Sequence, residues 1–244
     1  TGLTLEKHAT DLANWVDEII VSIDGEPVLH NKIRNIPGAF EKMANGIRTL
    51  KEIKPEMKIS ARTVIHRLNF RNWDQIVFTA KGLGLNSISF LPADVSSQAF
   101  NRETPWTTGK QEDLLLNATE VDECSLILEQ VIKHFKPEFE NRFIAESPEK
   151  LRHIIQYYAA SLGLVDFPKK KCNAPWVSAV VEADGLVRPC FFHEPMGSIK
   201  SDGLRNVVNG DAGIHFRKEL DMDKDETCRR CVCSLYLKPT VKLN

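Results

Sequence analysis

The apolar positions along the first 165 residues switch between two periods. Residues 17–24, DEIIVSID, form a short β-branched run that ends at Asp24-Gly25, which predicts a strand and then a loop. After Pro37-Gly38, apolar residues recur at Phe40, Met43, Ala44, Ile47 and Leu50, the spacing of one helix face, until Pro55. Residues 58–65, KISARTVI, read as a second strand, and Trp73, Ile76, Val77, Ala80 and Leu83 mark a second helix. Residues 86–91, NSISFL, make a third strand closed by Pro92. Strand, helix, strand, helix, strand at this spacing predicts parallel βαβ units with right-handed crossovers.

Residues 92–117 are polar and aperiodic and read as one long loop, in which Asp94, Arg102 and Trp106 are candidate substrate contacts beside the plainer reading of a surface loop. Thr119 with Asp122 predicts the start of a helix carrying Val121, Cys124, Leu128, Val131, Ile132 and Phe135 on one face. Ser147-Pro148-Glu149 starts another, with Leu151, Ile154, Ile155, Tyr158 and Leu162 apolar and Gly163 at its end. After Lys169-Lys170-Lys171 the character changes. Residues 176–183 and 186–192 around Asp184-Gly185 predict a β-hairpin with a type I′ turn. The expected organisation is an α/β domain over residues 1–168 and a small domain over residues 169–244.

Composition narrows the classes. The 244 residues are 42% hydrophobic and 27% charged, which suits a packed globular protein and not a disordered one. Lys plus Arg numbers 32 and Asp plus Glu 33, a net charge of -1, so no overall basic field favours nucleic acid or an anionic membrane. No apolar run is long enough to cross a membrane, and no signal-peptide pattern opens the chain; a cytoplasmic location is expected. Chain length and first residue suggest a piece of something longer.

Five of the six cysteines lie in the last 73 residues: Cys172, Cys190, Cys228, Cys231 and Cys233. A disulfide framework fits the even count, but an ample core and no secretory signal favour metal ligation. A hairpin at Asp184-Gly185 would fold Cys172 and Cys190 toward one end, and Cys228-x2-Cys231 presents two thiolates from one tight bend. Four converging thiolates suit zinc or an iron–sulfur cluster. Zinc ribbons usually use two close pairs, whereas Cys172 and Cys190 are 18 positions apart. Cys124, on an apolar helix face, reads as core, and Cys233 as a spare thiol or loop residue.

Cys172-Asn-Ala-Pro-Trp176, Gly185-Leu-Val-Arg-Pro-Cys190, Gly197-Ser-Ile199, Phe216-Arg217 and Cys228-x2-Cys231 together resemble the C-terminal SPASM/twitch extension of radical SAM enzymes. Upstream, residues 17–25, His30-Asn31, Arg34, residues 63–69 and Ile88-Ser-Phe-Leu-Pro92 resemble the later strands of the radical SAM partial barrel. The resemblance implies the C-terminal half of a partial (β/α)6 barrel, with Thr1-Gly2-Leu3 as the end of the family's third strand and a helix over residues 5–14. It implies that Ser22 and Asp24 contact the ribose or amino-acid part of S-adenosylmethionine. Arg34 would pair with its carboxylate, and the backbone near Leu91 would cup its adenine. It implies Cys172, Cys190, Cys228 and Cys231 as ligands of a single auxiliary 4Fe–4S cluster, a peptide or small-molecule substrate, and an external electron donor. Barrel sites are built at the C-terminal ends of strands, where Ser22, Asp24, His66 and Leu91 fall.

The family's CxxxCxxC loop, which holds the cofactor-cleaving cluster, does not occur in these 244 residues. The 244 residues by themselves are therefore expected not to cleave S-adenosylmethionine. The competing reading is an inactive metal-binding interaction module or a zinc-stabilised α/β protein.

Overall fold

The computed structural model of the protein describes all residues except Thr1, Gln98, Phe100, Asn101, Glu103, Pro105 and 239–244. The chain divides into two compact units, Thr1–Ala93 with Gly109–Val165, and Asp94–Thr108 with Asp166–Asn244. The second boundary lies near the expected one, but residues 94–108 group with the C-terminal unit, not with the N-terminal domain that contains them in sequence.

The first unit runs α1 (Ala9–Trp15), β1 (Glu18–Ser22), α2 (Pro27–Arg34), α3 (Ala39–Ile53), β2 (Lys58–Ile65), α4 (Trp73–Gly82), β3 (Ser87–Pro92), α5 (Thr108–Glu112, across the unit boundary), α6 (Ala118–His134), α7 (Lys136–Glu140) and α8 (Pro148–Ser161). The three strands are parallel in the order β1-β2-β3. Beyond β3, Ile144 adds a parallel bridge to Ile88, with Ile88 N–H donating to the Phe143 carbonyl at 2.7 Å and Ala145 N–H to the Ile88 carbonyl at 2.9 Å. The sheet is buried on one face, where Ile19, Val21, Ile59, Ala61, Ile65, Ile88 and Phe90 lie, whereas Ile20 and Arg62 on the other face are exposed.

The α3 face predicted from periodicity is buried at Phe40, Met43, Ile47 and Leu50. Gly46 completes it, because a Cβ there would stand 2.4 Å from Leu5 Cβ and 2.8 Å from the Glu6 nitrogen. Close approach of the segment leading into α1 therefore needs this glycine. That segment forms turns, so the helix expected over 5–14 begins only at Ala9; Thr1, placed in the expected third-strand end, lies outside the described residues.

The start of α6 is Asn117, not Thr119. Asn117 Oδ1 accepts from Glu120 N–H at 2.9 Å while Glu120 Oε2 accepts from Asn117 N–H at 3.0 Å, a complete capping box. Ser147 caps α8 as its sequence predicts, and Gly163 follows that helix with φ 75°. Tyr158 of α8 is fully buried; its hydroxyl donates to the Ile65 carbonyl and accepts from Ala93 N–H at 2.9 Å. One side chain thus ties the end of β2 to the residue after β3.

The second unit holds α9 (Ala174–Val177), β4 (Val180–Val181), β5 (Leu186–Arg188), β6 (Gly197–Ser198), α10 (Leu204–Asn209), α11 (Asp211–Glu219) and α12 (Glu226–Arg230). The strands form an antiparallel sheet in that order. The expected strand at 176–183 starts four residues late, because Pro175 sits in the first turn of α9, where its missing N–H costs nothing. The hairpin turn also differs. Gly185 alone adopts positive φ, 90°, and its N–H donates to the Glu182 carbonyl at 2.9 Å. A type I′ turn needs two such residues, so this is the type I turn followed by a left-handed glycine that leads into a bulge. No described helix is long and apolar enough to cross a membrane.

Candidate functional site

In the first unit, strand register sets the heights of the predicted cofactor contacts. Ser22 pairs with Arg62, which pairs with Ser89, while Leu91 pairs with Val64. Leu91 therefore stands two residues, about 7 Å, beyond the Ser22 level along the sheet. Asp24 follows just past β1, where Thr63 Oγ1 donates to the Ile23 carbonyl at 2.7 Å and Asn69 Nδ2 to the Asp24 carbonyl at 3.1 Å.

Asp24 does not face outward. Its side chain is 5% exposed and receives Arg34 Nε at 2.5 Å and Nη2 at 2.9 Å, with His30 Nδ1 3.2 Å away. Burial pushes its carboxyl up, but the His30 and Arg34 contacts outweigh that and hold it below the usual carboxylate range. Asp24, expected to contact the ribose or amino-acid part of the cofactor, is here the buried ion-pair partner that fixes Arg34. The Arg34 side chain remains 27% exposed, with Nη1 not engaged by Asp24. His66, at the end of β2, is buried beside this pair. Burial drives its pKa down to about 4, Asp24 pulling it up and Arg34 down.

The second unit holds five of the six cysteines, and all six are free thiols, so the disulfide reading falls away. Cys172, Cys190, Cys228 and Cys231 lie near enough that Cys172 acts on the ionisation of Cys190, and Cys190 and Cys231 on that of Cys228. Burial pushes the thiols of Cys190, Cys228 and Cys231 up, Cys231 to about 12. Cys124 is elsewhere, buried in α6 and likewise pushed up to about 12 by burial, as a core residue.

The sulfurs are supplied with donors. Cys190 receives the backbone N–H groups of Phe192 and His193. Cys231 Sγ accepts from Cys233 N–H at 3.3 Å, so Cys233 contributes its backbone while its side chain is exposed. His193 Nε2 lies 3.4 Å from Cys228 Sγ. Lys170 donates to the carbonyls of Arg229 and Cys231, and Cys231, Cys228 and Cys172 oppose the downward pull of burial on its ammonium. Asn173, next to Cys172, donates to the Leu237 carbonyl at 2.7 Å and accepts from Leu237 N–H at 2.9 Å, which pins the chain beyond the CxxC turn. Asp225 caps α12 by accepting from Cys228 N–H at 2.8 Å.

This donor set fits an iron–sulfur cluster better than a single zinc ion. Zinc–sulfur bonds of about 2.3 Å in a tetrahedron place sulfurs about 3.8 Å apart. Among the described residues no three cysteine sulfurs fall within 4.8 Å of one another. A cluster interposes its own iron and sulfide atoms, so its thiolates stand wider, and N–H donors on the sulfurs suit the anionic charge of such a group. A cavity of about 320 Å³ within this unit opens beside Cys231, lined also by Asp94, Ser97, Arg188, Glu226 and Arg230. Arg102 pairs with Asp94 and its guanidinium lies over Trp106 at 5.0 Å, which brings the three loop residues picked from sequence together.

His193 was not among the residues singled out from the sequence. Its one signal is spacing, Cys190-x2-His193, in a turn whose backbone already wraps the Cys190 sulfur.

Residues 172–232 match the SPASM family, an iron–sulfur cluster-binding domain. No curated protein matches the chain. Among solved structures, the chain is similar to native anSMEcpe with bound AdoMet and Cp18Cys peptide, at 16% identity and a TM-score of 0.57. The match covers 95% of this chain and 64% of that one, so the chain spans less than two thirds of the neighbour's length. At that identity the likeness is one of fold: this chain shares the neighbour's α/β architecture.

Proposed function

We propose that these residues serve a radical SAM oxidoreductase or maturase, with one auxiliary 4Fe–4S cluster held by Cys172, Cys190, Cys228 and Cys231. The observation that carries this reading is the convergence of four thiols, separated by up to 59 positions, on one place furnished with N–H donors, within a stretch that matches an iron–sulfur domain. Such groups, when bound, would supply one-electron chemistry: a 5′-deoxyadenosyl radical from S-adenosylmethionine at a separate cluster, for hydrogen abstraction, with the auxiliary cluster as electron relay. Four cysteine ligands fill the iron sites, which leaves the relay role in place of direct substrate binding.

The chain's own residues have defined tasks in this reading. Asp24 and His30 hold Arg34 so that its free face meets the cofactor carboxylate, a bidentate-capable group that needs no protonation change. Ser22 and the backbone at Leu91, two levels apart on the same sheet, contact the sugar side and the adenine. A peptide is the favoured substrate class, because the structural neighbour is complexed with one; a small-molecule alcohol fits the same chemistry. An external donor supplies electrons.

Anaerobic reconstitution with iron and sulfide tests the proposal. About four irons and four sulfides per chain are expected, lost in Cys172→Ser, Cys190→Ser, Cys228→Ser and Cys231→Ser but kept in Cys124→Ala and Cys233→Ser. A chain that takes up zinc and no iron–sulfur cluster would refute it.

A further inference from the structure

The ligand sulfurs have different kinds of donor. Cys190 and Cys231 receive backbone N–H groups, which come with the turns that present them. Cys228 faces two side chains, the His193 imidazole, with Nε2 at 3.4 Å from its sulfur, and the Asp225 carboxylate, an acceptor that pushes its thiol up. The ring is held there by more than this contact. Its side chain is 10% exposed, it packs edge-on to Phe216 with centroids 4.9 Å apart, and its own carbonyl accepts from Arg188 Nη1 at 2.9 Å.

Two acceptors compete for Nε2. Asp225 Oδ1 lies 3.7 Å away, beyond hydrogen-bond distance for nitrogen and oxygen, and is already taken by Cys228 N–H at 2.8 Å. Sulfur is larger, so 3.4 Å is a normal N–H···S separation, and the sulfur wins. A metal-bound thiolate carries no proton of its own. The contact can therefore be a hydrogen bond only with Nε2 as the donor. His193, Asp225 and Cys228 also have ligand atoms within 4.8 Å of one another, the spacing of a mononuclear metal site. That alternative takes Cys228 away from the cluster, so the two uses exclude each other.

We propose that His193 donates its Nε2–H to the Cys228 sulfur, positions that thiolate and raises the reduction potential of the cluster it ligates. The inference rests on the reading of the four cysteines as cluster ligands. Its physical basis is charge: an added electron increases negative charge on the ligand sulfurs, so a donor there stabilises the reduced form more than the oxidised one.

The test uses the full 244-residue chain, reconstituted anaerobically, with iron and sulfide counted before each titration. His193→Phe keeps an aromatic ring against Phe216 and removes the donor; His193→Gln restores an N–H. The expected result is full cluster content in all three proteins. At fixed potential, the reduced-to-oxidised ratio should fall about tenfold in His193→Phe, equal to about 59 mV for one electron, with partial recovery in His193→Gln. An unchanged potential at full iron content overturns the proposal. So does loss of iron in His193→Phe and His193→Gln alike, which makes His193 a ligand. The unmodified chain gives an independent answer should a variant misfold. With ¹⁵N-histidine, electron–nuclear double resonance of the reduced cluster should show a weak nitrogen coupling and an exchangeable proton. A strong coupling, or none, overturns the proposal. A chain that binds no cluster at all fails at the iron count, which refutes the cluster reading and is distinguishable from failure of the His193 inference.

Discussion

His66 gives the most direct quantitative check on the strand-end cluster of the first unit. It is 5% exposed, its Nδ1 accepts from Leu68 N–H at 3.2 Å, and its pKa is pushed from the ordinary 6.5 to about 4, chiefly by burial. Between those two values the unfolded chain holds a proton at this site and the folded chain does not, so acid favours unfolding. The stabilising contribution is complete above pH 6.5 and is lost as the pH falls through about 4. A shift of this size corresponds to about 3 kcal/mol at 1.36 kcal/mol per pH unit. Replacing His66 by Gln keeps an acceptor for Leu68 and removes the titration. Urea unfolding followed by circular dichroism at a series of pH values should show the stability advantage of the unmodified chain over His66→Gln shrinking by about 3 kcal/mol from pH 7.5 to pH 4. Other groups titrate over the same range, but they are common to both proteins and cancel in the difference. Parallel pH profiles would refute the argument, as would an imidazole resonance of His66 titrating near its ordinary value.

Tyr158→Phe removes the hydroxyl shared by the Ile65 carbonyl and Ala93 N–H, and is expected to cost about 1–3 kcal/mol in urea unfolding, because buried backbone groups lose their partner. Gly46→Ala improves helix propensity by about 1 kcal/mol. Its Cβ would nonetheless stand 2.4 Å from Leu5 Cβ and 2.8 Å from backbone at Glu6, so net destabilisation is expected, with faster amide exchange over residues 5–15. Asn173→Ala breaks both bonds to Leu237 and is expected to raise the exchange rate of the Leu237 amide while leaving β1–β3 unchanged.

The legible parts of this fold are those whose constraint is local. The faces of α3, α4, α6 and α8 and the three parallel strands follow from apolar spacing, because each element buries one stripe or one face against its neighbours. Helix α2 escaped because only His30 of its eight residues is buried, which leaves no stripe to read. Trp176-Val177 looked like the beginning of a strand, and Pro175 made it a helical turn. Residues 94–108 looked like a plain loop because what gathers them, the pairing of Arg102 with Asp94 and its cover on Trp106, is not a periodic signal.

The same division runs through the two candidate sites. A thiolate must be delivered by a tight turn, so Cys228-x2-Cys231 and the residues flanking Gly185 carry their chemistry in their spacing. A charged group at a strand end carries none. Asp24 is as consistent with sugar binding as with an ion pair until Arg34, ten residues on, is seen to fold back onto it at 2.5 Å. Its burial explains the pairing, since a carboxylate with a 5% exposed side chain needs its compensating charge from within the protein. His193 lies between these extremes. The turn that presents Cys190 fixes its backbone, but its imidazole reaches a sulfur 35 positions further along the chain, so its role follows from packing on Phe216 and not from any motif. Ligands are therefore recorded in sequence as spacing, whereas the groups that set the charge around them are recorded only in the tertiary fold.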